Sequence, residues 1–187
     1  MPELHLPADH GIRFVFPHAP ERPVTINSGV VMRAWYDIVS PQIDFQQDEA
    51  GIRHAQQLLN SLIEREISRG VNSEQIVLAG FSQGGAVALH TGLRYSQPLA
   101  GIMALSSYLP LANTLADERH EANRSIPVFM AHGTHDPVVP YDLAEDSKYF
   151  MQQQGYQIEW HAYPMQHSVH PEEIDAIAAW LRKIFKI

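Results

Sequence analysis

The 187-residue sequence contains no cysteine. A disulfide framework and a thiolate metal site are therefore excluded, and the composition suits the cytoplasm. Basic residues are also scarce: 13 Lys and Arg stand against 21 Asp and Glu, a formal net charge of −8. Nucleic acid and anionic membrane both reward clustered Lys and Arg, so neither is expected as the main partner, whereas a small neutral or cationic substrate is more easily accommodated. No apolar run approaches the length of a membrane span, and Met1-Pro2-Glu3-Leu4-His5 lacks the basic and apolar regions of a signal peptide. What is present is an ordinary globular balance, 45% hydrophobic and 18% charged, which predicts a single domain over residues 1–187. A domain of this size can bury roughly 70% of its unfolded surface.

Strand and helix signals alternate along the chain. Ile12 to Phe16 reads as a strand ending at Pro17, Gly29 to Tyr36 as a loop or irregular strand closed by a breaker pair at Ser40-Pro41. From Asp48 to Arg69, apolar residues at Ile52, Ala55, Leu58-Leu59, Leu62-Ile63 and Ile67 recur at helical spacing, and Gly70 supplies a stop. Further strands are predicted at Gln75 to Ala79, Gly101 to Ser106, Ile126 to Ala131 and Gln157 to Tyr163, and helices at Gln83 to Tyr95, Tyr141 to Gln154 and Pro171 to Lys186. Apolar strands separated by amphipathic helices predict an α/β fold, a mostly parallel sheet covered on both faces. Tyr108 to Ser125 has no clean period and reads as a surface excursion.

The strongest chemical signal is Gly80-Phe81-Ser82-Gln83-Gly84-Gly85, directly behind the apolar run Ile76 to Ala79. A serine flanked by glycines two residues away on each side, with a strand before and a helix after, is the layout of a nucleophile elbow. A serine hydroxyl needs a base to take its proton and a carboxylate to orient that base. In open parallel sheets such groups sit on loops at the carboxyl ends of strands. Two loops qualify: His132-Gly133-Thr134-His135-Asp136-Pro137 offers Asp136, and Pro164-Met165-Gln166-His167 offers His167. His170 is the rival base, but it stands before Pro171 at a helix entrance; Asp142 is the rival acid, but it falls inside the following helix. His132, His135 and Asp136 also invite a metal reading. Their loop spacing is not that of a helical zinc motif and no third ligand is evident, so no metal is expected and His132 is read as ordering the loop around Asp136. Trp35, Leu109 and Val138 are candidates for lining an apolar acyl pocket, or equally for packing the core.

With these residues placed, the chain resembles the phospholipase/carboxylesterase family of α/β-hydrolases, which includes bacterial carboxylesterases and acyl-protein thioesterases. The landmarks run in order over nearly the whole length: Phe16-Pro17-His18-Ala19-Pro20, Ala34-Trp35-Tyr36-Asp37, Ala79 to Gly85, His132 to Asp136 and Tyr163 to His167. The resemblance implies Ser82 as nucleophile, His167 as base, Asp136 as orienting acid and the Gln83 N–H as an oxyanion donor. It also implies cofactor-free hydrolysis of short- to medium-chain esters or thioesters. One departure stands out. The family begins with a hairpin and a strand ending in a His-Gly-Leu-Gly-like loop that gives the second oxyanion N–H, and the sequence starts downstream of that loop; His10-Gly11 precedes a predicted strand and cannot replace it. Loss of one such donor typically costs about 10²–10³ in turnover. By the family's strand order, the gap is expected in the middle of the sheet, between Ile12 to Phe16 and Gln75 to Ala79, where it would favour a homodimer. The expectation is that Met1 is not the biological start. An impaired remnant that binds acyl groups or a partner is the alternative function.

Overall fold

The computed structural model describes residues 2–40 and 46–187. Met1 and Pro41, the second half of the predicted breaker pair, lie outside them. A short antiparallel hairpin comes first, β1 (Glu21–Val24) with β2 (Val30–Arg33). The 20-residue helix α1 (Glu49–Ser68) follows, and then β3 (Val77–Phe81), α2 (Gln83–Gly92), β4 (Gly101–Leu105), α3 (Leu115–Glu118), β5 (Val128–Gly133), α4 (Tyr141–Gln153), β6 (Ile158–Tyr163) and α5 (Pro171–Phe185). Strands β3 to β6 form one parallel sheet in chain order.

Side-chain alternation explains why both faces are covered. On β4 and β5, Ile102, Ala104, Val128 and Met130 join one apolar cluster with residues of α1, α2 and α4, while Met103, Phe129 and Ala131 join another with Ile177, Trp180 and Leu181 of α5. The main helix starts where sequence chemistry predicts. Asp48 accepts the Gly51 N–H at 2.9 Å as its N-cap. Element starts shift by a residue or two for local reasons. Asn72 caps a 3₁₀ turn over Ser73–Gln75, which delays β3 to Val77.

Three expectations are corrected. Ile12 to Phe16 forms no strand: Phe14 packs against the cluster that holds Phe129 and Trp180 while Phe16 is 71% exposed, so alternating apolar residues here find a surface but, among the described residues, no ladder partner. A β2 strand and its partner β1 appear instead. The predicted gap is consequently not in the middle of the sheet; β3 is an edge, paired with β4 alone among the described residues, and its Ala79 and Phe81 are exposed. Third, Tyr108 to Ser125 is not a surface excursion, because Tyr108, Leu109, Leu111, Leu115 and Asn123 are buried. Its polar residues mislead a reading by hydrophobicity, since they are spent inside. The Asn123 amide bonds Leu99 N–H and the carbonyls of Tyr95 and Gln97, and Arg94 reaches the Leu111 carbonyl, Thr114 and Glu118.

This buried polar cluster makes stability depend on pH. Burial, reinforced by the neighbouring Arg94 cation, pushes His90 down from 6.5 to about 3. Burial alone would raise Glu118, but bonds from Thr114, Arg53 and Arg94 outweigh it and hold the carboxyl at about 2 instead of 4.5. Both groups have depressed values in the folded state, so both stabilise the fold at neutral pH. The His90 contribution is lost as pH falls from 6.5 toward 3, and that of Glu118 only below 4.5. The urea midpoint is expected to drop between pH 7 and pH 4, and His90→Leu to flatten that part of the curve.

Candidate active site

Ser82 stands between β3 and α2 with φ +55° and ψ −123°, a backbone that residues other than glycine rarely adopt. The turn is possible because Gly80 has no side chain: a β-carbon there would overlap the backbone of Gly84 and Gly85. The strained residue is held from both sides. Its N–H donates to the Leu105 carbonyl at 2.8 Å, and its carbonyl accepts from the Ser107 hydroxyl at 2.8 Å. Gln83 opens α2, so its N–H belongs to the first turn, where backbone donors have no partner within the helix and attract developing negative charge.

Asp136 and His167 lie on the loops after β5 and β6. The His167 Nδ1–Asp136 Oδ2 distance is 2.7 Å. A carboxylate only accepts, so Nδ1 carries the proton and Nε2 is left with its lone pair. The other oxygen, Oδ1, accepts the N–H groups of Val138 and Val139 at 2.8 and 2.9 Å. The Asp136 side chain is fully buried, whereas that of His167 is 17% exposed. The two loops are laced together by backbone bonds, Thr134 N–H to the Tyr163 carbonyl at 2.8 Å and His135 N–H to the Met165 carbonyl at 3.1 Å. Gly133 allows this approach, since a β-carbon there would overlap the carbonyl oxygens of Met165 and Gln166. Gly133→Ala should therefore push the loops apart and lower kcat at least tenfold with a smaller change in KM, as steady-state assay would reveal.

The histidines closest in sequence to this pair have other employment. His132 is buried, its Nε2 2.9 Å from the Val139 carbonyl and 3.5 Å from Asp136 Oδ2. Burial lowers its pKa, so it stays neutral and steadies the Asp136 loop without adding a cation beside it. His135 pairs with the Thr134 hydroxyl. His170 caps α5 by accepting the Glu172 N–H, with its backbone extended before Pro171. Asp142 sits in the first turn of α4. Among the described residues, no three His, Asp or Glu side chains gather as a metal would need.

Of the pocket candidates, Trp35 is half-buried against the cluster that holds Val139, Val138 is 51% exposed on the acid loop, and Leu109 is 3% exposed inside the main core. Two contributors escaped the sequence reading. The Phe81 ring packs 4.7 Å from the His167 ring, joining the elbow to the histidine loop. The Gln83 side chain bonds the backbone of residues 35 and 36. An apolar residue in the variable elbow position and an amide beside the serine were the available signals for them.

A strained serine between a parallel strand and a helix, followed along the sheet by an acid loop and a histidine loop, defines an α/β-hydrolase. The chain belongs to the phospholipase/carboxylesterase family, whose sequence profile it matches over residues 3–185. It is 42% identical over 180 residues to acyl-protein thioesterase 1 of Gibberella zeae, covering 92% of this chain and 77% of that protein. With the protein of the same name from Neurospora crassa it shares 43% over 178 residues, covering 91% and 73%. The crystal structure of Arabidopsis thaliana SOBER1 superposes with a TM-score of 0.92 at 30% identity, covering 98% of this chain and 89% of that one. Zea mays acyl-protein thioesterase 2 superposes at 0.78 with 26% identity, covering 90% and 80%.

Proposed function

We propose that this single domain is a serine esterase or thioesterase in which Ser82, His167 and Asp136 form the catalytic triad. The observation that carries this reading is the 2.7 Å Asp136–His167 pair on the two loops beside the strained Ser82 elbow. His167 Nε2 takes the Ser82 hydroxyl proton as Oγ bonds the substrate carbonyl carbon, and the Gln83 N–H receives the charge that forms on the carbonyl oxygen. The intermediate collapses by expelling the alcohol or thiol, which leaves with the proton from His167. Water, deprotonated by the same imidazole, then attacks the acyl-enzyme and releases the acid. No cofactor takes part.

The names of the related thioesterases support an acyl ester or thioester as substrate. Membership of the phospholipase/carboxylesterase family supports a short- to medium-chain acyl group, and the lack of cysteine suits a cytoplasmic enzyme. A fluorophosphonate probe should label the folded protein and fail to label Ser82→Ala; folded wild-type protein that takes no label would end the proposal. The alternative is a binding module for acyl groups or a partner that keeps the elbow without turning substrate over. Ester turnover that requires Ser82 eliminates that alternative. Turnover that survives chelators disposes of a metal-dependent mechanism through His132, His135 and Asp136.

A further inference from the structure

We propose that the side chain of Gln83 is a specificity-determining positioning residue, which sets the distance between the nucleophile and the acyl-binding wall formed by Trp35. The inference rests on the hydrolase reading of Ser82 and goes beyond the backbone role of Gln83 in it.

The Gln83 amide is used at both ends. Its Oε1 accepts the Trp35 N–H and its Nε2 donates to the Tyr36 carbonyl, each at 3.0 Å. One planar group thus fastens two successive residues of a distant segment to the position next to Ser82. The rest of that segment is tied to other parts of the fold. The Ala34 N–H donates to the Pro20 carbonyl, the Trp35 carbonyl accepts from Arg22, and the Asp37 N–H donates to Asp48 Oδ2 at 2.8 Å. The Tyr36 hydroxyl lies 3.0 Å from that of Tyr108. A segment held at so many backbone atoms moves as a unit, and the Gln83 amide is the tether that registers it against the elbow.

On this reading the indole is the surface that an acyl chain meets. Trp35 is half-buried and packs on the cluster containing Val139, whose N–H bonds the Asp136 carboxylate. The same cluster holds Ala86 and Val87 of α2, the helix that begins at Gln83 beside Ser82. A long acyl group would lie against this ring, whereas an acetyl group is too short to depend on it. Release of the tether should thus penalise long chains more than short ones.

The test is a chain-length series of thioesters assayed with Gln83→Met, which keeps the backbone N–H and the side-chain length but removes both bonds. The ratio of kcat/KM for octanoyl over acetyl substrate is expected to fall about tenfold, mainly through KM, as a loss of roughly one tethering interaction implies. In a Trp35→Ala background the same substitution should leave that ratio nearly unchanged, because the wall is already gone. Equal losses for both chain lengths, or an effect that persists without Trp35, would overturn the proposal. Amide exchange gives a readout independent of turnover: in Gln83→Met the Trp35 N–H should exchange faster while that of Asp37 stays protected. Should wild-type protein hydrolyse no substrate, the hydrolase reading fails, and unaltered Trp35 exchange would separately refute the tether.

Discussion

Ser82→Ala should reduce kcat by on the order of 10⁶ without unfolding the protein, and adding His167→Ala should make matters little worse. The size follows from what the hydroxyl does. Without Oγ no acyl-enzyme forms, so His167 has no proton to take and Asp136 has no cation to stabilise. In the proposed mechanism the three groups act as one unit, and removal of one member leaves the others idle. Structural tolerance is expected because the Ser82 N–H and carbonyl, which hold the elbow through Leu105 and Ser107, belong to the backbone. Single-turnover kinetics on the single and double variants, with circular dichroism as a folding control, would check it. Additive losses would mean that Ser82 and His167 do not share a step.

Asp136→Asn should lower kcat by about 10⁴ with little change in KM or stability. The asparagine oxygen can still accept the Val138 and Val139 N–H groups, which fix the side chain at 2.8 and 2.9 Å. Its NH₂ must then face His167 Nδ1, at the position now 2.7 Å away. A donor there makes Nδ1 the acceptor and moves the imidazole proton to Nε2, so the ring presents a hydrogen to Ser82 where it should present a lone pair. The base is disabled by its tautomer with its position preserved. A measured loss below tenfold would show that Asp136 does not orient His167 during turnover.

Much of this arrangement was legible in the string because parallel α/β folds leave strong local marks. Continuous apolar strands such as Val128 to Ala131 and the capped periodicity of α1 need no tertiary knowledge. The elbow was legible for the same reason, since glycine at position 80 and a serine two residues later report a steric requirement within one turn. The failures have a different origin. Ile12 to Phe16 has the alternation of a strand, yet a strand exists only with a partner, and partners are not encoded locally. The 108–125 segment failed in the opposite sense. Polar residues normally mark the surface, but Asn123 and Glu118 are satisfied by groups far away in sequence, which a hydrophobicity pattern does not register. The side-chain role of Gln83 escaped notice likewise, because its partners lie 48 and 47 residues upstream.

The tips of β3 and β4 each carry a serine with positive φ, Ser82 at +55° and its neighbour Ser106 at +46°. Each such backbone stores about 1–3 kcal/mol that a glycine at the same place would not. Selection for thermal robustness and selection for chemistry therefore pull in opposite directions at the elbow. Glycine in place of Ser82 would relax the turn and erase the nucleophile in the same step. A library screened for heat resistance alone should drift toward inert proteins at this position, and activity must be selected alongside stability to keep the serine.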